Sequence, residues 1–570
     1  MLRYFFKLVL LHSLVVLTSV EAALSVPLSS DVNSQRAMEI AAVASQIKNE
    51  PRTFLVGDNV LSMYSGPLAA PGTLALQLRL AEVAKLQRVS NDLPQYAAAT
   101  TAAQLPRVKS LDDVVRLYDY VAPRLERPSS LDIDDDSFGY QRLTVKSMKL
   151  RLVANGEFSD TAFQLSDAQL PTYCGKDVTA QNIRQRKQLF VEDFGDASQW
   201  NDPEKPEKYV PDVVGFFCYN KETKKLVPIE IRVLSTNLTY SPLDSENEWK
   251  LAKMALNAAS VCYHQWQHMA DTHATLVPIR VELLRNLAAV HPVRVLLEYH
   301  APVDFGLEML VSKVLLSPNT AMDRTFGWGA TGSTRFLMHQ TNFTISLNNN
   351  LPTDLADRGL IHIPVHKYGL YGRKLYAAIH TFVGSYVRAY YPTNAAVASD
   401  FELQNWARAT SQVPHLHDFP SSIPTRARLS RLLAHVVFLC AVRHHAMNSA
   451  TTWHMAPAPY SAPALWKPMP MQKLQAGENI NLMEYAIPVP RIPELLALTA
   501  LFHREPLANE SLASAYQTAP FSTEPQLQSA IATFKQTLES LDAFIQQNEA
   551  KSTRSYEILR PSKLPANSWI

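Results

Sequence analysis

Neither sign of charge is in excess. The 570 residues carry 54 Lys and Arg against 52 Asp and Glu, a formal net charge of +2, with no run of like charge. No basic field therefore argues for nucleic acid. Cysteine is scarce too: four residues in a chain this long do not build a disulfide scaffold. Cys174 and Cys218 are able to pair in an oxidising compartment, while Cys262 and Cys440 sit inside apolar helical patterns and read as buried thiols. Past the N-terminus no run is long and apolar enough to span a bilayer. Internal repeats and low-complexity linkers are also missing, so no subdivision into several domains is indicated. What is present is ordinary globular material, 47% hydrophobic and 19% charged, enough for a large core.

The N-terminus reads as a secretory signal over residues 1–22. Arg3 and Lys7 precede an apolar run from Leu8 to Leu17, and Val20-Glu21-Ala22 is a small-x-small cleavage site. A single anchor helix is the alternative, but the run is well short of the roughly 20 residues a span requires. Three sequons suit an extracellular route: Asn237-Leu-Thr, Asn342-Phe-Thr and Asn509-Glu-Ser. The expected product is a secreted glycoprotein of residues 23–570 with no transmembrane segment.

Residues 23–135 read mostly as helix and loop. Val213 to Tyr219 and Leu226 to Val233 are two β-rich runs around the polar turn Asn220 to Lys225, the pattern of a β-hairpin. From Trp249 onward helical patterns dominate. The expected fold is one large, mainly α domain with a small β element.

The stretch HQWQHMADTH places three histidines within ten residues. His264 and His268, four apart, nearly share a face of an α-helix, because four residues advance about 400°. His273, five beyond His268, lies well off that face unless the backbone makes a π turn with i→i+5 bonding. The spacing thus offers an α pair or a π pair, or histidines that only cap and pack. A zinc-peptidase motif needs Glu directly after the first His as general base, and here Gln265 stands there. Leu429 to Trp453 forms a second apolar helical pattern, in which His444 and Asn448 share one face. Facing the first helix, it would complete four N/O ligands. The chain ends Asn567-Ser-Trp-Ile570, and a terminal carboxylate is a hard anionic ligand if the tail is buried.

These residues resemble the lipoxygenase family. Trp249-x-x-Ala-Lys253, Tyr263-His-Gln265, His268-x4-His273, His291-Pro-Val293 and His300 follow its core signature. His444-x3-Asn448 matches its second ligand helix, and the Asn-Ser-x-Ile end matches its ligand tail. Tyr390-Tyr391 and Glu402-Leu-Gln-Asn-Trp406 extend the match, which runs from about Val213 to Ile570. The resemblance implies a large single helical lipoxygenase catalytic domain with a small β-sheet and a metal held between two central helices. It implies His268, His273, His444, Asn448 and the Ile570 carboxylate as metal ligands. The family usually has four residues between the positions of His264 and His268; here there are three, which leaves His264 as the alternative ligand. The absence of an N-terminal β-barrel pattern, the leader and the sequons resemble the secreted fungal branch, as do Lys313 to Pro318 and Asp323 to Gly327.

The implied cofactor is one manganese or iron ion, with manganese preferred, and no haem. The implied partners are a polyunsaturated fatty acid of the linoleate or linolenate type and O2, with membrane-surface lipid as a further contact and a monomer as the expected state. The implied reaction is hydrogen abstraction by a metal(III)-hydroxide, followed by O2 insertion to give a hydroperoxide. Val311 stands at the position, usually Gly or Ala, that lies over the pentadienyl radical and steers which end oxygen reaches. Two alternatives stand beside this reading: a hydroperoxide isomerase or lyase with the same metal site, and a metal-free secreted lipid-binding relative.

Overall fold

The computed structural model describes residues 23–568 apart from 48, 57–58, 68–73, 75, 87–103, 122–130, 132, 145–147, 159–162, 307–310, 312–314, 343–349, 415, 417, 450–456, 476, 503–505 and 553. The leader and Ile570 therefore lie outside the described residues.

The chain opens with a helix, α1 (Gln35–Gln46), and an antiparallel hairpin of β1 (Asn49–Val56) and β2 (Asn59–Pro67), in which Val56 pairs with Asn59. This hairpin corrects the expectation of helix and loop before residue 135. The signal was local and in the sequence: two β-rich runs, Thr53 to Val56 and Val60 to Tyr64, flank Gly57-Asp58, a dipeptide composition that marks hairpins.

A five-stranded antiparallel sheet follows, in the order β3 (Arg151–Leu152), β4 (Leu189–Phe194), β5 (Val213–Asn220), β6 (Lys225–Val233) and β7 (Leu238–Tyr240). The expected hairpin is β5–β6. Strand β5 is buried on both faces, and its period of two sends alternate side chains to different cores. Val213, Phe217 and Tyr219 enter the main core, whereas Val214, Phe216 and Cys218 enter a smaller one with Leu170 and Ile183. Cys218 there meets Cys174, with which it forms a disulfide. Cys262 and Cys440 are free and buried, as the apolar pattern around them implied.

The main core is helical. Helix α2 (Glu246–His268) begins at Ser245, whose hydroxyl accepts the N–H of Glu248, with Glu246 and Glu248 in the positively polarised first turn. It is buried on nearly all sides, as a central helix must be, and Ala252, Ala255, Ala258 and Ala259 let neighbours approach closely. The sheet lies directly on it: a Cβ on Gly215 of β5 would come within 2.3 Å of Leu256 Cδ2. The helix resumes as α3 (Ala274–Asn286) after an interruption described below, and α4 (Pro292–His300) follows. Pro278 lies inside α3. It forfeits one backbone hydrogen bond, and burial of the residues around it outweighs that loss. Helices α5 (Lys367–Tyr390), α6 (Phe401–Thr410), α7 (Arg426–Phe438), α8 (His444–Asn448) and α9 (Gln528–Glu549) complete the frame used here. Among the described residues no helix is long and apolar enough to cross a membrane.

Candidate metal centre

Between α2 and α3 the backbone makes a π turn over Met269–His273. The i→i+5 bonding adds one residue to the turn and rotates His273 back toward His268, so that their ring centroids lie 5.1 Å apart. A second π turn, Leu439–Arg443, separates α7 from α8 and delivers His444. Its ring centroid is 4.9 Å from that of His268 and 4.7 Å from that of His273. One ligand-type nitrogen from each of the three lies within 4.8 Å of the others, and all three rings are buried. The π pair is thus the geometry that forms.

His264 is not in this group. Its Nε2 lies 3.0 Å from the carbonyl oxygen of Met447, so it ties α2 to α8. Asn448 is one turn beyond His444 on the same face, buried, with its amide 3.4 Å from His444 Nε2. A half-turn about χ2 exchanges its two amide atoms and presents Oδ1 at that point.

The electrostatics favour neutral rings. Burial pushes His273 down to about 3, and burial also takes His268 and His444 well below the ordinary imidazole range. Lone pairs are therefore available at neutral pH. Among the described residues nothing hydrogen-bonds either ring nitrogen of His268, nor Nδ1 of His273 or His444. A buried polar atom left unmade costs about 1–3 kcal/mol. Nε2 of His273 and Nε2 of His444 also face each other at 3.0 Å. Three uncharged imidazoles that bring one nitrogen each within 4.8 Å of the others, two of them as facing Nε2 lone-pair atoms, fit a cation better than they fit packing alone.

Residues 566–568 of the C-terminal tail are fastened by His300, His445 and Asp304. His445 Nε2 donates to Asn567 O at 2.6 Å. His300 Nδ1 donates to Ala566 O, which fixes its tautomer and leaves Nε2 to accept the Tyr516 hydroxyl at 2.5 Å. Ser568 donates its N–H to His300 O at 2.9 Å and its hydroxyl to Asp304 Oδ1 at 2.8 Å. His300 belongs to the core signature, and His445 is marked in the sequence by the His444-His445 doublet.

Other signature residues hold the frame. Trp249 Nε1 and Lys253 Nζ both donate to Asp135 Oδ1, at 2.7 and 2.9 Å, and pin the start of α2. His291 caps α4 through Val293 N–H and meets Asp400 Oδ2 at 3.1 Å. Glu402 accepts from Ala288 N–H and pairs with Arg36. Val311 is buried in the main core, and its carbonyl accepts the N–H of Leu316. Of the sequon residues, Asn237 and Asn509 are exposed, and the side chain of Asn342 lies outside the described residues.

The lipoxygenase family model matches residues 176–557. The chain belongs to the lipoxygenase family. Curated lipoxygenases similar to it include the human polyunsaturated fatty acid lipoxygenase ALOX15B, 25% identical over 80% of this chain and 68% of that protein. A manganese lipoxygenase of Pyricularia oryzae is 27% identical over 81% of this chain and 77% of its own length. Matches to other fungal manganese lipoxygenases span about half of those relatives. The fold matches a solved manganese lipoxygenase of Gaeumannomyces graminis with a TM-score of 0.83 at 21% identity, over 95% of this chain and 99% of that one. The helical body with its small sheet is thus the lipoxygenase catalytic fold, and family membership makes the chain a lipoxygenase-type enzyme with a single non-haem metal.

Proposed function

We propose that this lipoxygenase is a secreted dioxygenase that inserts O2 into polyunsaturated fatty acids of the linoleate or linolenate type to give hydroperoxides. His268, His273, His444, Asn448 and the carboxylate of Ile570 would hold one manganese or iron ion, with manganese preferred. The observation that carries this reading is the convergence of three neutral, buried imidazoles with orphaned nitrogens. The route of the tail adds support, since residues 566–568 are fastened to His300, His445 and Asp304 two residues short of the terminus.

Three imidazoles, an amide oxygen and a carboxylate are N/O donors suited to manganese or iron. When bound, such an ion supplies the one-electron chemistry that zinc lacks and that hydrogen removal from a methylene between two cis double bonds requires. The chain does the rest. Burial keeps water and stray protons from the histidines, the π turns aim them, and the apolar core around Val311 orients the fatty acyl chain. At Val311 the branched side chain has few rotamers and stands as the shield at one end of the pentadienyl radical.

Secretion is supported by the leader pattern, the exposed sequon residues Asn237 and Asn509 and the Cys174–Cys218 bridge, which suits an oxidising compartment. We read residues 23–570 as one catalytic domain. Leu24 N–H donates to Glu524 Oε1 at 2.9 Å and Ser25 N–H to Val290 O at 3.0 Å, so the first described residues are already part of the helical body.

The test is metal analysis of purified protein together with oxygen uptake and conjugated-diene absorbance on linoleate. Stoichiometric manganese or iron with diene formation is expected. Metal without oxygen uptake, but with turnover of a supplied fatty-acid hydroperoxide, would refute the dioxygenase reading in favour of an isomerase or lyase.

A further inference from the structure

The two π turns are joined by a pair of charged residues that take no part in the site described above. Asp271 lies within the first turn, two residues before His273, and Arg443 closes the second, immediately before His444. The Arg443 guanidinium donates to Asp271 Oδ2. The amide of Gln267, one turn earlier on α2, donates to the other oxygen, Oδ1. Arg443 Nε also lies 3.4 Å from Met447 Sδ, and the Met447 carbonyl is the group that meets His264. The contacts Gln267–Asp271–Arg443–Met447–His264 therefore cross twice between the segments that carry the three histidines, at Asp271–Arg443 and at Met447–His264.

The placement matters because a π turn is a local insertion whose position decides where the next side chain points. Here each of the two turns carries one member of the pair, next to a cluster histidine. The side chains are 5% exposed for Asp271 and 20% for Arg443, so a charge-assisted bond between them is little screened and costly to break. Relaxing either turn would move His273 relative to His444 across the site.

We propose that the Asp271–Arg443 pair is a positioning strap that locks the two π turns together and so sets the spacing of His268, His273 and His444 and their hold on the metal. The proposal rests on the metal-site reading above. Neither residue is assigned as a ligand, and each acts through its neighbouring histidine.

The test uses the full-length protein loaded with Mn(II) alone. It measures loss of Mn(II) to a chelator, the electron paramagnetic resonance pattern of the bound ion, and the thermal midpoint. Asp271→Asn and Arg443→Met are each expected to speed metal loss and to change the spectrum, by up to the 10–100-fold in affinity known for residues that support ligands. The double variant should lose metal no faster than the worse single, because both remove one strap. Should the neutral variants fail to fold, Asp271→Glu and Arg443→Lys decide the matter: they keep both charges but alter the reach, and a changed spectrum is expected. A normal spectrum and release rate in variants of either kind would overturn the strap, as would opposite shifts in release for the two neutral singles, which mark a simple charge effect. A parent protein that takes up no Mn(II) would overturn the metal-site reading itself, and the strap with it.

Discussion

Which histidines hold the metal is open to a direct substitution test. His264 and His273 stand on either side of His268 and differ in what each touches. His264→Ala removes the ring that meets the Met447 carbonyl at 3.0 Å, in a site where His264 is 2% exposed. The lost buried hydrogen bond and the carbonyl left behind are worth about 1–3 kcal/mol. The vacated ring volume adds a cavity cost of similar size, so about 2–6 kcal/mol in total is the expected destabilisation. None of that falls on the three-nitrogen group, so the metal is retained. His273→Ala inverts the pattern. It removes a ring whose Nδ1 has no partner among the described residues, so few hydrogen bonds are lost, yet the metal should go. His268→Ala should behave like His273→Ala. The assay pairs metal content with the denaturation midpoint of metal-free protein for all three variants. Metal loss in His264→Ala alongside full retention in His273→Ala would refute the π-pair geometry and make the four-residue pair the ligand set.

Three further outcomes follow from the same structure. Deleting Ile570 or appending a C-terminal tag should abolish turnover and lower metal content, and a tagged protein with full metal and full activity would contradict a ligand role for the terminal carboxylate. Val311→Gly and Val311→Ala should change the ratio of positional isomers or the chirality of the hydroperoxide, read by chiral chromatography; if Val311 only packs, the variants instead cost roughly 1–3 kcal/mol and leave the product ratio unchanged. Acid should destabilise the metal-free protein: burial lowers His273 and His366 to about 3 and His300 and His435 to about 4, against an ordinary value of 6.5. The unfolded chain binds more protons in that interval, so stability is fully present above about pH 6.5 and falls as pH drops toward 4 and 3. Denaturation midpoints across that range check it, and a flat profile would contradict neutral buried rings.

Much of this protein follows from its sequence alone. The two β-rich runs flanking Asn220 to Lys225 specified the β5–β6 hairpin, and the helical pattern from Trp249 onward specified the long helix α2. The spacing of His444 and Asn448 put both on one face of α8 because four residues nearly complete a turn. Such features are local, since each depends on the direction in which a side chain leaves its own element. Whether His264 or His273 joins His268 could not be settled this way, because a π turn adds one backbone residue and leaves no mark in composition. The turn before His444 had no signal at all, and Pro278 stands inside α3, where burial outweighs one missing hydrogen bond. Only the tertiary structure places α2 and α8 side by side, gives His264 the carbonyl of Met447, and sets Asp271 against Arg443. A site made where two helices converge is a property of their relative position, and that position is fixed by the sheet, the core and the tail packed around them, residues far from the site in the chain.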